Sequence, residues 1–152
     1  MTTATPRPIA PALWPWLRLL GYGGWLPFAT LLLGSLIQDQ PWRTLLLAYA
    51  VGIVSFVGAL SWGWALALPD LGDAQRKRLL AWSVMPCLLA TLSVALPAPA
   101  QWWALAGVYG LAWWMDWRHN AVLQWPTEWL RLRMQLSLGA MLTLVAAAWM
   151  GL

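Results

Sequence analysis

From Ala48 to Leu68 the chain runs AYAVGIVSFVGALSWGWALAL, an uncharged stretch that sets three glycines, two serines and two tryptophans among small and aliphatic side chains. A helix needs about 20 predominantly apolar residues to cross the roughly 30 Å hydrocarbon layer of a bilayer, at about 1.5 Å per residue. In lipid every backbone N–H and C=O must find its partner inside the structure, so a run of this length is a helix rather than an isolated strand. The stretch reads as a transmembrane helix, and it commits the rest of the chain to the same medium.

The flanking sequence agrees. Only 9% of the 152 residues are charged and 61% are hydrophobic, where a soluble domain carries about 25% charged residues. Five stretches reach spanning length: Leu17 to Ile37, Thr44 to Leu68, Leu79 to Leu96, Gln101 to about Trp117, and Leu132 to Leu152. The fourth is the weakest. Between the third and fourth lies only Pro97-Ala98-Pro99-Ala100, two helix breakers that suit a tight antiparallel hairpin. Residues 1–16 hold Pro6, Pro8, Pro11 and Pro15; proline fixes φ and lacks a donor, which predicts an extended arm. The arm does not read as a secretory signal, since no small-residue cleavage site follows a compact apolar core. The expected fold is thus all-α, a polytopic membrane helix bundle: a proline-rich arm over 1–16 and one five-helix transmembrane domain over 17–152.

Orientation follows the cations. Arg7, Arg18, Arg76, Lys77, Arg78, Arg118, Arg131 and Arg133 fall on one predicted side and Arg43 alone on the other, so the positive-inside rule predicts the N-terminus inside and the C-terminus outside. The net charge of +4 is thereby assigned to topology. The basic residues are scattered between apolar spans and form no nucleic-acid-binding motif, so no nucleic-acid partner is expected.

Of the fifteen tryptophans, Trp14, Trp16, Trp82, Trp117, Trp125 and Trp129 fall near the predicted inner boundary. Trp42, Trp102 and Trp103 fall near the outer one. Amphipathic indoles commonly anchor helices at those depths. Trp25, Trp62 and Trp64 lie deeper and are the indoles available to line a cavity. In the first span, Gly21-Tyr22-Gly23-Gly24-Trp25-Leu26-Pro27 predicts a kink, because Pro27 cannot donate to the carbonyl of Gly23. Broken helices also form substrate sites in transporters.

Two stripes of small residues recur at four-residue spacing: Ser55, Ala59, Gly63 and Ala67 in the second span, and Gly139, Thr143, Ala147 and Gly151 in the fifth. Such stripes let helices approach closely, within the chain or between two copies. Ser55 and Ser61 offer hydroxyls, which in a helix commonly bond the carbonyl one turn back.

Little here is reactive. Asp116 is the one acid placed at membrane depth, near the inner end of its span, and Arg131 or Arg133 can pair with it across the helix ends; the other use of that cluster is to hold a headgroup or an anionic ligand. Glu128 and Arg131 have the spacing of an ion pair on one helix. The lone His119 rules out bis-histidine haem ligation, and Cys87, on another span, does not complete a zinc set. Cys87 stands in an apolar run with no base beside it in sequence and reads as packing. No phosphate loop or metalloprotease motif occurs. No cofactor, metal or catalytic residue is assigned.

Several fragments together resemble a family. Gly21-Tyr22-Gly23-Gly24-Trp25-Leu26-Pro27-Phe28, Ser55-Phe56-Val57-Gly58 followed by Trp62-Gly63, Trp82-Ser83-Val84-Met85-Pro86, Asp116, and Trp129-Leu130-Arg131-Leu132-Arg133 resemble, in order and spacing, the domain of unknown function 3429 family, and are similar to transmembrane protein 69 of mitochondria. The likeness runs from about Leu17 to the C-terminus. It implies a multi-pass protein of the bacterial cytoplasmic (inner) membrane or its mitochondrial relative, and no settled activity. In that family the residue before the Trp-Gly pair is often basic, whereas Ser61 stands here.

The leading expectation is a non-enzymatic accessory, assembly or structural membrane protein, whose partners are the lipid bilayer and, through helix faces, a second copy or a larger membrane complex. The alternative is a small carrier or pore for a lipid, quinone or small solute, with Trp25, Pro27, Ser55, Ser61 and Trp62 around a cavity that opens toward Asp116, Arg131 and Arg133. A third reading is a membrane enzyme on a lipid or quinone, with Asp116 as its proton-transfer group.

Overall fold

The computed structural model describes residues 8–152 and is all-helical. A 3-10 turn over Pro11–Leu13 leads into α1 (Trp14–Gly23), α2 (Leu26–Ile37), α3 (Asp39–Ala67), α4 (Asp73–Val94), α5 (Ala100–Leu123) and α6 (Thr127–Trp149). Helical structure thus begins inside the predicted arm. Pro15 sits in the first turn of α1, where its missing N–H costs no hydrogen bond. Pro6 and Arg7 lie outside the described residues.

Four segments are long and apolar enough to cross a membrane: Pro11–Ile37, Gln40–Ala67, Asp73–Val94 and Thr127–Trp149. Helix α5, the weakest span in sequence, is not among them, although it has 24 residues. Its tryptophans, Gln101 and Asp116 lower its hydropathy, and nine of its residues are buried where it packs on α4, α6 and α3. The helices also start earlier than hydropathy places them. Helix α4 begins at Asp73 rather than Leu79, and α6 at Thr127 rather than Leu132. Charged first turns are good helix but poor hydrocarbon, so the apolar boundary falls inside the helical one.

Neighbours in sequence pack as neighbours in space, α2 on α3, α3 on α4, α4 on α5 and α5 on α6, while α1 and α2 return to α6 and close the bundle. The core is built around Phe28, Leu46, Ala50, Val54, Trp102, Leu105, Tyr109 and Leu144. A smaller cluster of Ala65, Leu71, Leu79 and Leu123 sits where α3 ends and α4 begins. The exterior is apolar: Leu19, Leu20, Leu26, Ile37, Phe56, Leu66, Leu92, Leu142 and Trp149 are all exposed, while Ser35, Ser61, Ser83, Asp116, Arg133, Ser137 and Thr143 are buried. An apolar surface of this extent suits lipid and not water.

The expected kink is present. The helix breaks at Gly24-Trp25 between α1 and α2, and the hydroxyl of Tyr49 donates to the Gly24 carbonyl at 2.6 Å. Helices α3 and α4 come close at Gly58, where a Cβ would stand 2.8 Å from Pro86 Cγ and from the Ser83 carbonyl oxygen. The buried seam of α3 is accordingly Val54, Gly58, Ser61 and Ala65.

Candidate functional site

The buried charges of the bundle lie where α5 and α6 face each other. The Arg133 guanidinium donates from Nε at 2.9 Å and from Nη2 at 2.6 Å, both to Asp116 Oδ2. Each residue is only 6% exposed. Of the two arginines open to Asp116 in sequence, the bundle turns Arg133 inward, while Arg131 is exposed. The choice follows from helical phase: Arg133 continues toward Ser137 and Ala140, all buried, and Arg131 points the other way. Two buried opposite charges joined by two charge-assisted hydrogen bonds fix the relative rotation of two helices.

Beside this pair lies a cavity of about 130 Å³, lined by Gly24, Trp25, Phe28, Tyr109, Arg133 and Ser137 with aliphatic side chains of α1, α3 and α6. Trp25 therefore does line a cavity. Pro27, Ser55, Ser61, Trp62, Asp116 and Arg131 are not on its wall. Ser61 is buried, Trp62 is half exposed on the outside of α3, and the Ser55 hydroxyl bonds the Val51 carbonyl one turn back at 2.7 Å. The arrangement gathered for a carrier does not come together in one place.

The two small-residue stripes have different surroundings. On α6, Thr143 and Ala147 are buried and Gly139 is pressed by the Trp25 ring, whose Nε1 would stand 2.8 Å from an added Cβ; Gly151 lies beyond the helix and is exposed. On α3, Ser55 is half-buried, whereas Ala59, Gly63 and Ala67 are exposed and a Cβ at Gly63 would meet nothing within 4 Å. Smallness fits either environment, so periodicity alone does not say which stripe is filled.

Two expectations are corrected. Trp102 is not a boundary anchor but wholly buried, with its indole Nε1 donating to the Leu152 carbonyl. Cys87 is exposed on the flank of α4 rather than packed, because the buried face of that helix is centred on Leu79, Ser83, Pro86, Ala90 and Ser93 and Cys87 is turned about 100° from Pro86.

Several polar ties are not foreshadowed by composition or spacing. All three tyrosines join separate parts of the bundle: Tyr22 donates to Gln135 Oε1 at 2.7 Å, Tyr49 to Gly24, and Tyr109 to the Ala50 carbonyl at 2.8 Å. Phe28 meets Tyr49 and Tyr109 edge-on, at 5.0 and 6.0 Å between centroids. Arg76, counted in sequence only as a topology charge, binds the carbonyls of Ala65, Leu68, Pro69 and Leu71. It caps the end of α3, where unpaired carbonyls and the negative end of the helix dipole favour a cation. A basic residue a few positions past a predicted helix end was the available signal.

An inward-facing polar set inside an apolar exterior, on helices of membrane length, defines the class: a helical protein suited to the bilayer. The chain belongs to the family described as Protein of unknown function (DUF3429), whose model matches residues 13–149. No curated protein matches the chain, so the likeness to transmembrane protein 69 has no support there. No solved structure matches it either.

Proposed function

We propose that the protein is a non-enzymatic accessory or assembly protein of the bacterial cytoplasmic membrane, with five spans, the N-terminus inside and the C-terminus outside. The observation that carries this reading is the use of Asp116. As the carboxylate set deepest among the helices, it is the natural proton-transfer group for an enzyme or a coupled carrier, yet it is buried and held by two hydrogen bonds from Arg133. Its position serves to lock α5 to α6. The 24-residue length of α5, about 36 Å at 1.5 Å per residue, supports counting it as the fifth span, shielded by its neighbours.

With Asp116 and Arg133 committed to each other, the recognition surface is the outside of the helices. The open side of α3 at Ala59, Gly63 and Ala67 suits the close approach of a partner's apolar helix. The test replaces Cys87 by serine and introduces single cysteines at Ala59, Gly63 and, as a buried control, Val54, in native membranes. The reading expects intermolecular adducts at Ala59 and Gly63, to a second copy by disulfide or to another protein by a photo-reactive maleimide, and none at Val54. Absence of adducts at both exposed positions, with the protein correctly inserted, overturns it. A C-terminal alkaline phosphatase fusion tests the topology independently and is expected to be active.

A further inference from the structure

A second and larger cavity, about 530 Å³, opens along the seam of α4 and α5 at the end of the bundle that carries most of the cations. Its polar wall is Gln75, Arg78, Arg118 and His119, its apolar wall includes Trp82 and Trp114, and none of its lining residues is acidic. Among the described residues neither Arg78 nor Arg118 takes part in an ion pair. Arg118 is held over the Trp114 ring at 4.9 Å, and His119 stands edge-on to Trp82 at 6.3 Å. The Nδ1 atom of His119 is buried and has no hydrogen-bond partner. Here, then, are two arginines with no acidic residue on the wall beside them, in a volume within the roughly 300–1,000 Å³ of ligand sites.

The groove does not end there. On α4 its walls pass through Gln75, Arg78, Trp82 and Met85 and continue at the same alternating three- and four-residue spacing through Leu89 and Leu92 to Leu96, just past the helix end, which line a further cavity of about 380 Å³. On α5 the continuation runs back from Trp114 and Met115 to Leu111 and Gly107. Both cavities thus lie on one face of the α4–α5 pair. From Arg78 to Leu89 the furrow extends about 16 Å at 1.5 Å per residue, about the thickness of one leaflet's hydrocarbon. Gly107 widens it: an added Cβ there would meet nothing within 4 Å.

We propose that this furrow binds one anionic phospholipid, with its phosphate between Arg78, Arg118 and His119 and an acyl chain lying along α4 and α5 past Leu89 and Gly107. Guanidinium groups donate to phosphate oxygens in pairs, and a stacked arginine is already oriented to do so. The Trp82 and Trp114 rings sit at the depth of the glycerol and upper acyl carbons, where indoles are favoured. A free anion would use the basic end alone and leave the apolar length of the furrow unexplained, which favours the lipid. The site lies on α4 and α5 and is independent of partner docking on the open side of α3.

The test is native mass spectrometry of the full chain in mild detergent, titrated with dioleoyl phosphatidylglycerol, dioleoyl phosphatidylcholine or inorganic phosphate. The expected result is one retained phosphatidylglycerol, at least about tenfold preferred over phosphatidylcholine and not displaced by millimolar phosphate. The Arg78→Gln/Arg118→Gln variant is expected to lose that preference about tenfold, while Arg131→Gln, at an exposed cation outside the furrow, keeps it. Gly107→Phe, which fills the apolar half with both arginines intact, is expected to reduce retention to a similar degree, and it decides the matter should the double variant not fold. Equal retention of the two lipids, displacement by phosphate, loss in Arg131→Gln, or full retention in either furrow variant would overturn the proposal.

Discussion

Asp116→Asn removes one charge of the buried pair and leaves the Arg133 guanidinium beside Trp25, Tyr109 and Ser137 on the wall of a small cavity. Two unit charges about 4 Å apart interact by about 4 kcal/mol at an effective dielectric constant near 20. Removing one partner of a buried pair in proteins costs about 3–5 kcal/mol, because the other is left uncompensated. Arg133 lies six residues from the start of α6, roughly 9 Å along the axis, so its long side chain can shift part of its charge toward the interface. That relief places the expected cost at the lower end, about 3 kcal/mol. A neutral hydrogen bond between membrane helices is worth only about 0.6 kcal/mol, so the two accounts are well separated.

The assay is equilibrium unfolding in mixed micelles titrated with a denaturing detergent, followed by circular dichroism and by accessibility of a buried cysteine. Asp116→Leu/Arg133→Met, which removes both charges, is expected to lie within about 1 kcal/mol of the parent, since well-packed apolar replacements of buried ion pairs are often neutral or better. With the matching single changes Asp116→Leu and Arg133→Met each expected to cost about 3 kcal/mol, the cycle then returns a coupling of about 5 kcal/mol in magnitude. A cost below about 1 kcal/mol for Asp116→Asn, or additive single and double effects, refutes the reasoning that the pair locks α5 to α6.

The same unfolding measurement checks three further predictions. Gly58→Ala drives a methyl to 2.8 Å from Pro86 and from the Ser83 carbonyl and is expected to cost about 1–3 kcal/mol, whereas Gly63→Ala, with nothing within 4 Å, is expected within about 0.5 kcal/mol of the parent. Tyr49→Phe strips the hydroxyl from the carbonyl at the α1–α2 break and should cost about 1–3 kcal/mol; Tyr109→Phe, whose acceptor Ala50 lies within continuous α3 helix, should cost about 0.6 kcal/mol, so that the less buried tyrosine has the larger effect. Arg76→Gln removes the cation that gathers the last carbonyls of α3 and should cost about 1 kcal/mol, with faster amide exchange confined to the last turn of α3 and the turn that follows.

Hydropathy marks a segment's fitness for lipid, and that explains both its success and its gaps in this chain. Four of the five segments proposed from sequence correspond to helices of membrane-crossing character. The fourth segment, the exception, falls short where its side chains face protein: Gln101, Trp102, Tyr109 and Asp116 are all buried on α5. Charge spacing narrowed the partner of Asp116 to two arginines, but the choice of Arg133 needed the phase of α6 against α5. The tyrosine ties were illegible for a related reason. Each joins groups far apart in sequence, 59 residues in the case of Tyr109 and Ala50, and a hydroxyl at a span position gives no sign of whether its acceptor is lipid-facing, solvent or another helix.

The same limit explains why the furrow was missed although its residues were in plain view. Arg78 and Arg118 stand on different helices, and in sequence each counts only as one more cation on the positive side. Bringing them onto one groove requires that α4 and α5 run antiparallel from the short turn at Pro97–Pro99 and remain parted at their far ends by Trp82 and Trp114. The proline turn sets the pairing, the tryptophans line the gap, and Arg78 and Arg118 stand on its wall. Under the lipid-binding proposal, a feature read as topology from sequence gains a second role. The charges from which the inside orientation is inferred are also the ones that the lipid-binding proposal sets, at this one seam, against anionic headgroups.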